Sequence, residues 1–203
     1  MADNPHKTKN RATIVLLLAV FTIPIIVAWS AYFGGWFQQG LTVNKGELVQ
    51  PVFDYTALQP AVKEQPIEFM TGAHWRIILP AKSAACLENE AADGCLLSLY
   101  IMGQVHQRLG KEKDRVIRQL YIGDMAIADS LEASLSERFV DLEIARGKAI
   151  SELNLSADYI YVADPLGNIM LRYPIIADKD AAFVKGNDIY FDLKKLLRIS
   201  RIG

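Results

Sequence analysis

Only two cysteines, Cys86 and Cys95, occur in this chain of 203 residues, which excludes a small domain stapled by several disulfides. An excess of charge of either sign is also missing. Lys and Arg number 22 against 23 for Asp and Glu, a net charge of -1, so neutralising a phosphate backbone is not its work and no nucleic-acid partner is expected. No Gly-rich phosphate loop, GxSxG, HExxH or fixed Ser/His/Asp pattern is present, which removes the familiar signatures of nucleotide binding, serine hydrolysis and zinc proteolysis. Repeats and low-complexity tracts are absent as well. What is there in abundance is apolar: 51% of residues, with 22% charged, which excludes a chain disordered throughout. The mean hydropathy of +0.14 is too low for several membrane spans and suits one span attached to a water-soluble domain.

That span is visible. From Ala12 to Phe33 the chain carries no charge, passing through Leu17, Phe21, Pro24 and Trp29. As a helix the run is about 33 Å long, enough for a hydrocarbon core of about 30 Å. Pro24 is expected to be tolerated, with Thr22 or neighbouring backbone re-satisfying the carbonyl it frees. Trp29, Tyr32 and Trp36 cluster at the far end, as interfacial aromatics do. Lys7, Lys9 and Arg11 precede the span, and the next charged residue is Lys45. The positive flank is therefore expected to stay in the cytoplasm and the C-terminal part to be exported. A cleaved signal peptide is the alternative, but the run exceeds an apolar region of about 7–15 residues and no clear small-x-small cleavage site follows. The expected organisation is a cytoplasmic tail over 1–11, a transmembrane helix over 12–33, a tether with short extended segments over 34–72 and an exported domain over 73–203.

Within that domain, Trp75–Ala81 reads as a buried strand. Lys82–Gly94 reads as a loop. From Cys95, Leu97, Ile101, Val105 and Leu109 recur at helical spacing and Gly110 closes the helix. Arg115–Ile122 reads as a second strand, Ser130–Arg138 as a helix, Val140–Ile144 as a third strand and Ala149–Leu155 as a short helix. Asp158–Ala163 and Ile169–Tyr173 flank Asp164-Pro165-Leu166-Gly167-Asn168, whose turn chemistry predicts a hairpin. Ile189–Ser200 predicts a closing amphipathic helix. Strands alternating with helices imply a parallel core. With an antiparallel hairpin and a last helix added, the expected class is α/β, a thioredoxin-like mixed sheet flanked by helices.

Candidate chemistry centres on the cysteines. Cys95 is placed at a helix N-terminus, where the dipole favours thiolate, and an exported compartment permits a Cys86–Cys95 disulfide. Their spacing is wider than the Cys-x-x-Cys of redox sites, so on spacing alone a structural disulfide or buried thiols come ahead of redox or metal chemistry. His74 is the histidine that loop folding could bring to Cys86; together with Cys95 they form a two-Cys, one-His set whose soft ligands suit copper. His106 lies about 16 Å along the helix from Cys95, too far to share an ion with it. Glu88, Glu90 and Asp93 read as a solvated acidic lip. Arg76, Arg115 and Arg118, alternating with apolar residues, read as ordinary strand solvation.

Several segments carry a resemblance. Trp75–Leu79, the cysteine loop, Cys95–Val105, Asn44–Leu48, Tyr161–Ile169 and Asp192–Leu197 together resemble proteobacterial single-span proteins related to the Sco/SenC assembly proteins. The resemblance implies a thioredoxin fold, an inner-membrane anchor with a periplasmic domain, and a role in cytochrome c oxidase biogenesis beside oxidase subunits or other assembly factors. In Sco proteins a Cys-x-x-x-Cys pair and a distant histidine bind copper. Here Cys95 corresponds to the second cysteine, Cys86 lies further upstream, and Leu155–Ala157 stand where the histidine is expected. Three functions follow as expectations: an oxidase-assembly factor acting mainly by binding partners, with copper or thiol handling at Cys86 and Cys95; an exported thiol–disulfide oxidoreductase; and a thioredoxin-fold scaffold without chemistry.

Overall fold

The computed structural model describes residues 5–34, 44–54, 74–88, 94–153 and 155–200. It divides into two compact units, Met1–Val43 and Asn44–Gly203.

Among the described residues the first unit holds one helix, α1 (Pro5–Phe33). Its stretch Thr13–Phe33 has a mean hydropathy of 2.6 and is long and apolar enough to cross a membrane. Thr22 Oγ1 donates to the Leu18 carbonyl at 2.8 Å. Of the two partners expected for the carbonyl that Pro24 frees, Thr22 is not the one used: that carbonyl belongs to the residue four before the proline, and the Thr22 hydroxyl reaches a different one. At the far end the Trp29 and Phe33 rings meet at 4.6 Å. Trp36 lies outside the described residues.

The second unit holds one six-stranded sheet, built from β1 (Glu47–Asp54), β2 (Trp75–Pro80), β3 (Val116–Gly123), β4 (Leu142–Arg146), β5 (Tyr159–Ala163) and β6 (Asn168–Pro174), in the order β1-β6-β5-β2-β3-β4. β2, β3 and β4 run parallel, as the strand–helix alternation requires. β5 pairs antiparallel with β2, β6 with β5, and β1 with β6. The hairpin closes as its residues predict: Asp164 Oδ1 accepts from the Leu166 and Asn168 amides at 2.9 and 2.8 Å, and Gly167 takes φ 93. β1 lies within the stretch read as a tether with short extended segments, and it extends the sheet.

Helices α2 (Ala84–Glu88), α3 (Cys95–Arg108), α4 (Asp129–Arg138) and α5 (Lys179–Ile199) complete the unit. Side chains alternate across each strand, and the two faces carry different cores. Ile77, Leu79, Leu120, Ile122, Ile160 and Val162 join α3, α4 and α5 in the larger one. Ile78, Tyr121, Tyr161, Ala163 and Ile169 form the smaller one, with Leu155 over them. The short helix expected over Ala149–Leu155 is a single 3-10 turn, Ile150–Glu152, so among the described residues long helices cover one face alone. The loop expected over Lys82–Gly94 contains α2, five residues that are too short for a helical period to register. The last helix begins at Lys179 rather than Ile189, capped by the Asp178 carboxylate accepting from the Asp180 amide at 3.0 Å.

Arg76 and Arg118 are buried, at 7% and 4% exposure, not solvated as the alternation suggests. β2 and β3 are interior strands covered on both faces, and alternation does not report that. Arg76 Nη1 reaches Glu143 at 3.1 Å; Arg118 donates to the Val140 carbonyl.

Candidate functional site

In the parallel strands the chain leaves β2, β3 and β4 at one edge of the sheet, and β5 starts and β6 ends at that same edge. This is where the cysteines are. Cys86 belongs to α2 and Cys95 opens α3. The two are joined as a disulfide with Cα atoms 5.7 Å apart, within the range of about 4.4–6.8 Å that a bridge requires. Both residues are fully buried.

The local sequence explains how Cys95 reaches this position. Gly94 precedes α3 with φ 73, and a Cβ there would lie 2.6 Å from the Ile176 carbonyl and 2.7 Å from the Ala177 Cα. A residue with a side chain would be strained by its backbone angle and would also collide with the β6–α5 connection. One turn into α3, Ser98 fixes that connection: its Oγ accepts from the Ile176 amide at 2.9 Å and faces the Ile176 carbonyl at 3.5 Å. On α2, the Cys86 amide donates to Ser83 Oγ at 3.3 Å. α3 has no side-chain cap hydrogen bond at its start, and Cys95 is its first residue.

The neighbouring loop at this edge is polar. Ser156 Oγ bonds the Asp158 carboxylate at 3.0 Å, Tyr161 Oη accepts from the Ser156 amide at 2.9 Å, and Lys82 pairs with Asp158 at 3.6 Å across the surface. Leu155 is buried in the smaller core. Tyr121, at the exit of β3, donates to the Lys148 carbonyl at 2.7 Å; burial pushes its phenol up to about 12.

His74 is not brought to the cysteines. It stands immediately before β2, whose six residues cover roughly 20 Å, while the disulfide lies beyond the other end of that strand. Among the described residues no group of three His, Cys, Asp or Glu side chains is placed to hold a metal. The set Cys86, Cys95 and His74 therefore does not fit a three-ligand copper centre. Glu88 closes α2; Glu90 and Asp93 lie outside the described residues. His106 faces the opposite edge, with Nε2 at 3.0 and 2.8 Å from the Lys113 and Val116 carbonyls.

Sequence reasoning missed one polar centre. Asp192 on α5 is 3% exposed, and its Oδ2 accepts from the Lys45 amide, the Gly46 amide and Tyr173 Oη, each at 2.8 Å. Burial and this carboxylate raise the Tyr173 phenol far above its ordinary value. A Cβ on Gly46 would stand 2.5 Å from the Tyr173 ring. Nothing in an amphipathic helix pattern marks one aspartate as the clasp for a strand 146 residues away.

The comparisons bear on the same domain. Residues 75–200 match the family described as transmembrane-like, thioredoxin-like, C-terminal domain. No curated protein matches the chain. Among solved structures, the chain is similar to a SCO1/SenC family lipoprotein from Bacillus anthracis, with TM-score 0.46 and 12% identity, over 77% of this chain and 99% of that one. It is similar to BsSco, described as a member of the Sco family of cytochrome c oxidase assembly proteins, with TM-score 0.45 and 12% identity, over 80% and 100% of the two chains. Bradyrhizobium japonicum ScoI with copper bound aligns at TM-score 0.40 and 16% identity, over 74% and 98%. With the match spanning β2 to α5, the chain belongs to the transmembrane-like, thioredoxin-like C-terminal domain family.

Proposed function

We propose that the protein is a membrane-anchored accessory factor of the Sco kind in cytochrome c oxidase assembly, its domain in the periplasm beside a bacterial inner membrane, and that it handles thiols through Cys86 and Cys95. The carrying observation is the disulfide at the sheet edge, with Cys95 at the start of α3. The anchor and the segments resembling Sco/SenC proteins support the reading.

In the oxidising direction, a thiolate on the partner protein attacks Cys86 Sγ. The Cys86–Cys95 bond breaks, a mixed disulfide forms, and Cys95 leaves as the thiolate that the helix N-terminus stabilises. A second partner thiolate then displaces Cys86, leaving the partner disulfide-bonded and this pair reduced by two electrons. Both sulfurs are fully buried, so the exchange requires α2 to move off α3. Copper enters this reading as cargo, held by the two reduced thiolates without His74.

The test is oxidase activity in membranes of cells whose chromosomal copy carries Cys86→Ser and Cys95→Ser. The reading expects oxidase activity to fall several-fold, with the protein present at normal amounts. Unchanged activity would overturn thiol handling and leave a binding scaffold, the reading that full burial of the pair favours. Purified full-length protein that reduces a mixed disulfide unless Cys95 is replaced would carry the same thiol handling further, to a thiol–disulfide oxidoreductase.

A further inference from the structure

The outer face of α5 is unusual for a soluble domain. Phe183, Phe191 and Ile199 are 75%, 56% and 71% exposed, and Lys194, Lys195 and Arg198 are exposed with them. At 100° per residue these six fall within one arc of about 160°, opposite the buried Ile189, Leu193 and Leu197. Phe183 also walls a groove of about 680 Å³ between α3 and α5. Asp180 and Asp188 fall within the same arc, but no carboxylate follows Asp192 in the helix, so its C-terminal part carries only cations, and Arg108 lies over the Tyr190 ring at 4.2 Å, adding another cation beside the arc.

The occupant is indicated by where the chain joins this domain. Lys45 and Gly46 are hydrogen-bonded to Asp192 of the same helix, so the tether meets the domain against α5. Between Phe33 and Asn44, residues 34–43 reach at most about 35 Å when fully extended. A helix with aromatic and aliphatic side chains among lysines and arginines, held within that reach of a bilayer, has the composition of an interfacial helix. Such a helix seats its apolar side chains among the acyl boundary and its cations on headgroup phosphates.

We propose that the exposed face of α5 docks on the anionic phospholipid surface of the membrane that holds α1, with Phe183, Phe191 and Ile199 inserted and Lys194, Lys195 and Arg198 on lipid phosphates. Docking orients the domain, so that one fixed side of it is turned to partners embedded in the membrane. The inference does not depend on the redox state of the cysteines.

Full-length protein labelled with 4-fluorophenylalanine, one copy per nanodisc, tests it by fluorine NMR with a gadolinium-chelate headgroup lipid. Phe183→Leu and Phe191→Leu assign the two signals, and the buried Phe139 serves as the internal reference. In discs containing phosphatidylglycerol, the Phe183 and Phe191 signals broaden several-fold more than that of Phe139. Each cation near an anionic surface contributes roughly fivefold to binding. The variant Lys194→Gln, Lys195→Gln, Arg198→Gln therefore weakens docking on the order of 100-fold and restores sharp signals, with near-ultraviolet circular dichroism unchanged. Three results would overturn the proposal: equal broadening of all three signals, broadening that survives in phosphatidylcholine discs or in the variant, and Phe183 and Phe191 signals that stay sharp with one copy per disc and change only when two copies share one, which would make a second chain the occupant.

Discussion

His106 carries a proton on Nε2, because that atom lies 3.0 and 2.8 Å from two carbonyl oxygens, which can only accept. Its Nδ1 is buried without a hydrogen-bond partner. Burial, and then the Arg118 guanidinium, lower the ring's affinity for a second proton. The unfolded chain therefore takes up that proton first as pH falls. The contribution is complete above the ordinary value of 6.5 and is lost as pH drops below it, until the folded ring also protonates. Urea unfolding at about pH 7 and pH 5 should show lower stability at the acid end. His106→Gln should flatten that difference and cost about 1 kcal/mol at neutral pH for the weakened carbonyl bonds; an unchanged slope would assign the pH dependence elsewhere. The buried arginines illustrate the limit of reading one residue at a time. Arg76 and Arg118 have the local pattern of solvated strand residues, and burial reaches them from β4 and α3, distant in sequence. Gly103 of α3 is what admits Arg118, since a Cβ there would stand 3.0 Å from Nη1.

α2 and α3 are held together by the one covalent crosslink between the described elements, which closes a loop with a sequence separation of 9. Restricting the unfolded chain over such a loop is worth about 2.5 kcal/mol. Replacing both cysteines by serine should thus lower the melting temperature by roughly 5–10 °C for a domain of this size, read by calorimetry on the full chain. No shift would mean that the bond adds nothing to what packing already fixes. The start of α3 at Cys95 was legible because the apolar spacing begins there. The start of α5 was not: Gly186, Asn187 and Asp188 look like helix breakers. In the structure Gly186 is where α3 comes close, as a Cβ would meet Ile101 at 3.0 Å, so packing between helices offsets the propensity that glycine lacks.

At the scale of the whole molecule there is an apolar helix and an α/β domain, and the charges that bear on orientation lie in the first turns of that helix, ahead of its apolar stretch. Lys7, Lys9 and Arg11 flank the span on one side, and the positive-inside rule makes export of Asn44–Gly203 the expectation to test. A membrane-impermeant amine reagent applied to intact spheroplasts should label lysines between Lys45 and Lys195 and spare Lys7 and Lys9, as mapped by mass spectrometry. Labelling of the tail alone would reverse the orientation. The sequence by itself determined the span, the parallel βαβ core, the Asp164–Asn168 hairpin and the helix that Cys95 opens, because each rests on hydrophobic period or turn chemistry among near neighbours. Only the tertiary structure decided that Glu47–Asp54 completes the sheet, that Asp192 clasps the strand leading into it, that His74 and the cysteines end up at opposite ends of β2, and that α5 keeps an apolar, basic face uncovered. Those outcomes depend on which distant segments share an edge or a face, and no local pattern encodes such a pairing.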